Sequence, residues 1–299
     1  MGKTYNIEGN LTFYEKTLRY LVNHYERFLS DRLLIKCRFR VIFHRPINLH
    51  KPQTFYEKIQ WLKLHDRKEI YHHMADKYLM REYVVNKIGE EYLVPLIGHW
   101  EKASDIDFEA LPGQFVLKCT HDSQSAVICS DKNTLDWNKV CNEITRALSI
   151  DYSRLGREWA YHGLYPSLIA EEKLVDETER DLKDYKVFCF NGKPRFIQVD
   201  YDRFVDHKRR FFDLEWNHIE ELKITYPDDC SVDISKPFCL EEMLRLSEQL
   251  SSDMKFLRVD WYVTKDKLYI GELTFYPGCG FEPIEPYEYD VLWGEWLKI

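Results

Sequence analysis

The stretch 256–280, FLRVDWYVTKDKLYIGELTFYPGCG, constrains the fold more than any other part of the chain. Leu257, Val259, Trp261 and Val263 lie two apart and are apolar, the period of a strand with one face in a core. Arg258, Asp260 and Tyr262 then share the opposite face. A polar turn over 264–267 leads to a second run, Leu268 to Tyr276, rich in β-branched and aromatic residues and carrying Glu272. Neighbouring strands lie about 4.8 Å apart, so Asp260 and Glu272 facing one side can share a hard cation such as Mg²⁺. Two acids alone also suit an ordinary solvated hairpin.

A chain of 299 residues with 44% hydrophobic and 15% aromatic residues can bury one large or two modest cores. Its net charge of −8 argues against a general nucleic-acid binder, which carries a basic stripe. The eight cysteines include no C-x-x-C pair and several sit in apolar runs, which favours buried reduced thiols over a disulfide frame or zinc site. Met1 to Asn10 lacks the apolar core of a signal peptide, and no uncharged run reaches the ~18 residues of a membrane span, so a cytoplasmic location is expected.

Residues 11–43 read as helical, with Leu18, Leu21, Val22, Tyr25, Phe28, Leu29, Leu33 and Leu34 three or four apart. From Lys16 to Arg45, eight basic residues face two acids, and such a segment either lies on an anionic inner-membrane surface or packs as an ordinary helix. Thr54 and Glu57 form a capping box at the start of the next helix. Ala75-Asp76-Lys77 opens a further helix ending in a strand over Leu93 to Ile97. Strands are predicted at Gln114 to Lys118, Ala126 to Cys129 and Ser167 to Val175, and helices at Trp137 to Ser149 and 240–252. After a charged linker from Asp176 to Lys183, Asn191-Gly192 between apolar runs signals a type I′ hairpin. Arg203, His207, Lys208, Arg209 and Arg210 form a basic cluster, read either as a solvated turn or as an acceptor site.

The wording R-V-D, a spacer, then E-L-T-x-x-P-G resembles the metal-binding end of ATP-grasp enzymes, and is similar to the TupA-like branch associated with bacterial surface polysaccharides. The resemblance spans roughly 45–299. It implies an α+β ATP-grasp fold, two α+β subdomains gripping ATP between them, after an N-terminal helical region. The implied divisions are 1–73, 74–112, a lid at 113–175 and a metal-bearing subdomain at 176–299. By the resemblance Lys77 reaches a phosphate, and Lys118 with the loop Thr120-His121-Asp122-Ser123 holds the β and γ phosphates. That family has glycines where this chain has Gln124 and Ser125. Glu172, Lys173 and Val175 border the adenine, Asp184 the ribose, and Lys186 faces the phosphates. Asp260, Glu272 and Thr274, the last where the common form has Asn, bind Mg²⁺, and Arg258 with Lys186 serves catalysis.

The implied reaction is an ATP-dependent carboxylate–amine ligation through an acyl phosphate, joining a uronic acid of a capsule or wall polysaccharide to an amino acid or other amine. Two alternatives are a glycosyltransferase using the D-x-D of Asp200-Tyr201-Asp202, and a binding protein with a decayed ATP site.

Overall fold

A computed structural model of the protein describes residues 11–122, 125–175, 182–203 and 205–299. The predicted helical stretch over 11–43 divides into α1 (Phe13–Tyr25) and α2 (Asp31–Phe43), separated by a 3₁₀ turn at Glu26–Phe28. The division has a local cause, because the Ser30 hydroxyl accepts from Leu33 N and starts α2 afresh. The helix α3 (Phe55–His65) begins at the expected Thr54–Glu57 capping box. Between α4 (Ile70–Ala75) and α5 (Met80–Lys87), the Asp76 carboxylate accepts from Tyr78 N and Leu79 N at 2.8 and 2.9 Å. It thereby satisfies donors that the helix itself leaves free.

The first sheet holds β1 (Leu96–Trp100), β2 (Phe115–Cys119), β3 (Val127–Cys129) and β4 (Leu168–Glu171) in the order β1-β4-β2-β3, all antiparallel. The helix α6 (Trp137–Leu148) lays Val140 and Ile144 on Phe115, Leu117, Cys119, Leu168 and Ala170, a small core of its own. Alternation on β2 then turns Val116 and Lys118 to the other face. β1 begins after Pro95, later than predicted, and Leu93 instead makes a parallel bridge to Ile270. The expected strand from Ser167 to Val175 is ordered as strand only over Leu168–Glu171, and a short α7 (Ser153–Gly156) precedes it.

The second sheet contains β5 (Asp184–Phe190), β6 (Lys193–Tyr201), β7 (Lys208–Phe212), β9 (Phe256–Val263) and β10 (Leu268–Thr274), antiparallel in the order β10-β9-β5-β6-β7. A short β8 (Lys223–Ile224) pairs with β11 (Ile284–Glu285). Leu257, Val259 and Trp261 are fully buried as their period predicts, and share the main core with Met243, Leu246 and Leu250 of α8 (Leu240–Ser251). The Trp261 indole donates to Ser247 Oγ at 2.9 Å, so the buried N–H is not left unpaired. Asn191 and Gly192 both take positive φ, 46° and 78°, as a type I′ turn requires. No helix among the described residues is long and apolar enough to cross a membrane.

The final helix α9 (Tyr287–Trp296) crosses the start of α3 at backbone contact. A Cβ at Gly294 would stand 2.0 Å from Gln53 O and 2.8 Å from Thr54 Cα. Gly294→Ala is therefore expected to lower stability by about 2 kcal/mol in urea unfolding, within the range for forced overpacking.

Candidate functional site

Strand register gathers the polar side chains of the second sheet on one face. Glu272 pairs with Asp260, Asp260 with Lys186 and Lys186 with Gln198. The adjacent row pairs Tyr262 with Asp184, Asp184 with Asp200 and Asp200 with Arg209. A register shift between Ile270 and Glu272 creates this arrangement. A regular ladder continuing from Tyr269–Tyr262 would set Gly271 opposite Asp260, whereas the extra residue turns Glu272 and Thr274 to that face. Gly271 also leaves room for Tyr262, whose ring a Cβ there would meet at 2.8 Å. The sequence reading missed this bulge, for which a glycine inside a strand is the available signal.

Asp260 is buried and doubly held. Arg258 Nε donates to Oδ1 and Nη2 to Oδ2, both at 2.7 Å, and Lys186 Nζ donates to Oδ2 at 2.7 Å. Burial alone would raise this carboxyl's pKa, but Arg258 and Lys186 hold it below the usual value. Burial would likewise lower that of Lys186, yet Asp184 and Asp260 raise it. Asp184 accepts from Lys186 at 3.2 Å and from Arg203. Asp200 is clamped by Arg209 Nε and Nη2 at 2.7 and 3.2 Å, with Gln198 at 3.0 Å. Against its burial, Arg209 holds Asp200 well below the ordinary carboxylate value.

Glu272 differs from these acids. It is half-buried, and its carboxylate has no hydrogen bond or ion pair among the described residues, with Asp260 directly across the ladder. Thr274 Oγ1 accepts from Arg258 Nη2 at 3.0 Å, so in this arrangement it orients a guanidinium. Arg258 Nη1 makes no hydrogen bond among the described residues, so one nitrogen of the guanidinium is left to donate.

Lys118 donates to Glu171 Oε2 at 2.6 Å and lies 6.0 Å over the Tyr262 ring, which links the first sheet to the polar face of the second. Arg81 reaches the other Glu171 oxygen at 3.2 Å. The buried acid at the end of β4 is thus Glu171, and the side chain of the next residue, Glu172, expected to border the adenine, is exposed. Lys173 turns to Ser130 Oγ at 2.9 Å and Val175 is exposed, so the structure does not bring these two to the acid cluster. Lys77 donates to the Asp122 carbonyl, at the edge of the predicted phosphate loop. Ser123 and Gln124 of that loop, and most of the charged linker, lie outside the described residues.

The basic cluster is neither a solvated turn nor a free acceptor site. Arg209 and Arg210 alternate across β7 and are buried against Asp200 and Asp228 respectively, and Lys208 pairs with Asp206. Asp200 is buried and bonded to Arg209, while Asp202, at a φ of 51°, is exposed beyond the strand, so the two do not share one environment. No group of three or more His, Cys, Asp or Glu among the described residues is placed to hold a metal. A cleft of about 750 Å³ lined by Tyr78, Arg81, Leu93, Leu96, Lys267 and Tyr269 opens beside Arg81 and does not include Asp260 or Glu272.

Beneath the Pro277–Gly280 turn the fully buried Lys63 donates to the carbonyls of Gly156 and Cys279, and Gln60 to those of Cys279 and Gly280. Burial lowers the Lys63 pKa to about 8, partly offset by Glu158. In the unfolded chain the group titrates near 10.4, so its contribution makes stability rise with pH between about 8 and 10.4. Lys63→Met should flatten the stability profile over that window relative to the parent chain, measured by urea unfolding at stepped pH.

Asp200→Asn should cost about 3 kcal/mol by removing the carboxylate that clamps buried Arg209 and leaving it, among the described residues, only the more distant Glu282, 3.9 Å away, as an ion-pair partner, whereas Glu272→Gln should change stability by less than about 0.5 kcal/mol. The depressed Asp200 pKa adds a sign. Its contribution is present above the unfolded value near 3.9 and fades as pH falls further, so the gap between parent and Asp200→Asn should narrow in acid.

The sequence profile of the TupA-like ATPgrasp family matches residues 57–298. Among solved structures, the chain is similar to D-alanine–D-alanine ligase from Bacillus anthracis, with 16% identity, 68% of this chain and 57% of that chain covered, and a TM-score of 0.41. It is similar to the ATP-grasp ligase PsnB complexed with a phosphomimetic variant of minimal precursor, Mg and ADP, at 10% identity, 86% and 64% coverage and a TM-score of 0.38. Phosphoribosylamine–glycine ligase from Thermotoga maritima follows at 12% identity, 69% and 49% coverage and a TM-score of 0.41. The chain therefore spans about half to two thirds of the length of these structures. No curated protein matches.

Proposed function

The chain belongs to the TupA-like ATP-grasp family and has the ATP-grasp fold, and from that premise we propose that it is an ATP-dependent ligase joining a carboxylate to an amine. The observation that carries the reading is the cross-strand pair of Asp260 and Glu272, with Lys186 and Arg258 on the first acid and no hydrogen bond or ion pair on the second among the described residues. A half-buried carboxylate with no hydrogen bond among the described residues, beside another whose Oδ1 accepts one hydrogen bond among them, suits a hard divalent cation. Asp260 and Glu272 would hold Mg²⁺, and Thr274, already bound to Arg258, is the weaker candidate. The ion supplies charge neutralisation at the phosphates when bound.

The chain's own residues would do the remaining work. Lys186 holds the oxygens of the transferred phosphoryl group, and Lys77 and Lys118, with Ser123, those of the other phosphates. Glu172, Lys173 and Val175 follow β4 as the adenine-bordering segment, and Asp184 lies toward the ribose. In this reading 113–175 is the lid and 176–299 the metal-bearing subdomain. The acceptor carboxylate attacks the γ-phosphorus and ADP leaves, giving an acyl phosphate. Arg258 Nη1, which makes no hydrogen bond among the described residues, would donate to that acyl phosphate in a charge-assisted hydrogen bond. An amine then displaces phosphate, losing a proton, and an amide remains. The family suggests a uronic acid of a bacterial surface polysaccharide as the carboxylate and an amino acid as the amine, at a cytoplasmic location. The glycosyltransferase alternative is the weaker reading, since Asp202 is exposed beyond the end of β6 while Asp200 is buried.

The reading is tested by thermal unfolding with MgATP, MgADP or Mg-UDP-sugars, and by ADP release with uronic acids and amino acids. Ligand at about 100 times its dissociation constant adds about 2.7 kcal/mol of stability. Adenine nucleotides should stabilise, and Glu272→Gln, folded as the parent, should reduce ADP release by about a hundredfold or more. Stabilisation by a UDP-sugar alone, or full turnover by Glu272→Gln, would sink the proposal.

A further inference from the structure

The family profile begins at residue 57, after α1 and α2. These helices carry a separate core in which Leu18 and Val22 of α1 meet Leu34, Cys37 and Val41 of α2. The other flank of α2, with Ile35, Phe39 and Ile42, joins the main core, so α2 fastens α1 to the body. The remaining surface of α1 is not that of an ordinary solvated helix. Phe13, Tyr14, Tyr20, Leu21 and Tyr25 are exposed on it, and Phe28 follows in the turn, with Phe13 and Phe28 at 87% and 70%. Phe13, Tyr20 and His24 recur at i, i+7 and i+11, opposite the buried Leu18 and Val22, with Tyr20 stacked on His24 at 4.2 Å.

Beside this band lie Lys16, Arg19, Arg27, Arg32 and Lys36, all exposed and in no ion pair among the described residues. The Arg27 guanidinium sits 4.7 Å over the Phe28 ring. A cationic face in a chain whose net charge is −8 is a local concentration of charge with a preferred counterpart. A second copy of the chain would press like charges together. An anionic lipid surface instead gives the ammonium and guanidinium groups their counter-ions and gives the aromatic rings the headgroup level in which they are favoured.

We propose that the α1–α2 hairpin is a peripheral membrane contact, with Phe13, Tyr20 and Phe28 entering the headgroup region of an anionic bilayer and Arg19, Arg27 and Arg32 pairing with lipid phosphates. It requires no nucleotide and stands apart from the ligase reading. Two phenylalanines on a convex helical surface, without a groove or sheet platform, favour a bilayer over a nucleic-acid strand.

The test is co-sedimentation of the full chain with vesicles of phosphatidylglycerol and phosphatidylcholine mixed equally, against pure phosphatidylcholine, at stepped salt. Binding should require the anionic lipid and weaken with salt. Arg19→Gln/Arg27→Gln/Arg32→Gln should lower the partition coefficient about a hundredfold, about fivefold per charge, and Phe13→Ser/Phe28→Ser should also reduce it. Both variants alter exposed residues and should keep the parent's unfolding midpoint. Equal binding to neutral vesicles, no binding to either, tighter binding to a single-stranded oligonucleotide, or a concentration-dependent dimer lost in Phe13→Ser/Phe28→Ser would each overturn the proposal.

Discussion

Asp260 accepts from both nitrogens of the Arg258 fork and from Lys186 in the interior of the second sheet, and the neighbouring charges follow from that contact. A buried carboxylate stripped of its cations costs about 3–5 kcal/mol, so each charge on this face needs a partner fixed by register. Asp184 is matched by Lys186 and Arg203, and Asp200 by Arg209. The compensation stops at Glu272, brought to the face by the bulge at Gly271. The sheet thus concentrates its one unanswered carboxylate, among the described residues of this cluster, beside its most firmly held one.

The parts of the fold legible in the sequence are those set by local rules. The apolar period of Leu257, Val259 and Trp261, the Asn191-Gly192 turn and the Thr54–Glu57 box need only neighbouring residues to be read, and the structure has all three. The site was legible as a set of residue types and less so as a set of contacts. Whether Glu171 or Glu172 meets Lys118 depends on which residue of β4 is the last to point inward, a matter of pairing with β1 and β2. Arg209 and Arg210 looked like surface charge because their partners, Asp200 and Asp228, come from elsewhere in the fold. The Gly271 bulge is a departure from period, so a reading built on alternation places Gly271 where the structure places Glu272.

The buried lysine beneath the Pro277–Gly280 turn shows the same dependence on distant sequence. Gly278, Cys279 and Gly280 all take positive φ, a conformation costly for the cysteine, and their backbone would not hold it unaided. Lys63 and Gln60, more than two hundred residues earlier, fix the carbonyls of Cys279 and Gly280 from below. Burying an ammonium is unfavourable, as the lowering of its pKa to about 8 reflects, and the fold accepts that cost where it shapes the turn after β10.

The cations assigned to phosphates are already partnered in this structure, and that bears on how the cleft can work. Lys118 is held by Glu171, and Lys186 by Asp184 and Asp260. Entry of a nucleotide phosphate would exchange one anion for another around the same ammonium, so the energy gained is a difference between two ion pairs, smaller than the attraction of phosphate for a free lysine. Under the proposed reading, the intramolecular pairs would keep the cations desolvated and in place before a nucleotide arrived, which would lower the reorganisation needed at the moment of phosphoryl transfer. Arg258 needs no such exchange. Its Nε and Nη2 are fixed by Asp260 and Thr274 while Nη1 makes no hydrogen bond among the described residues, so under the proposed reading Nη1 could meet a developing oxyanion without giving up a bond it already makes.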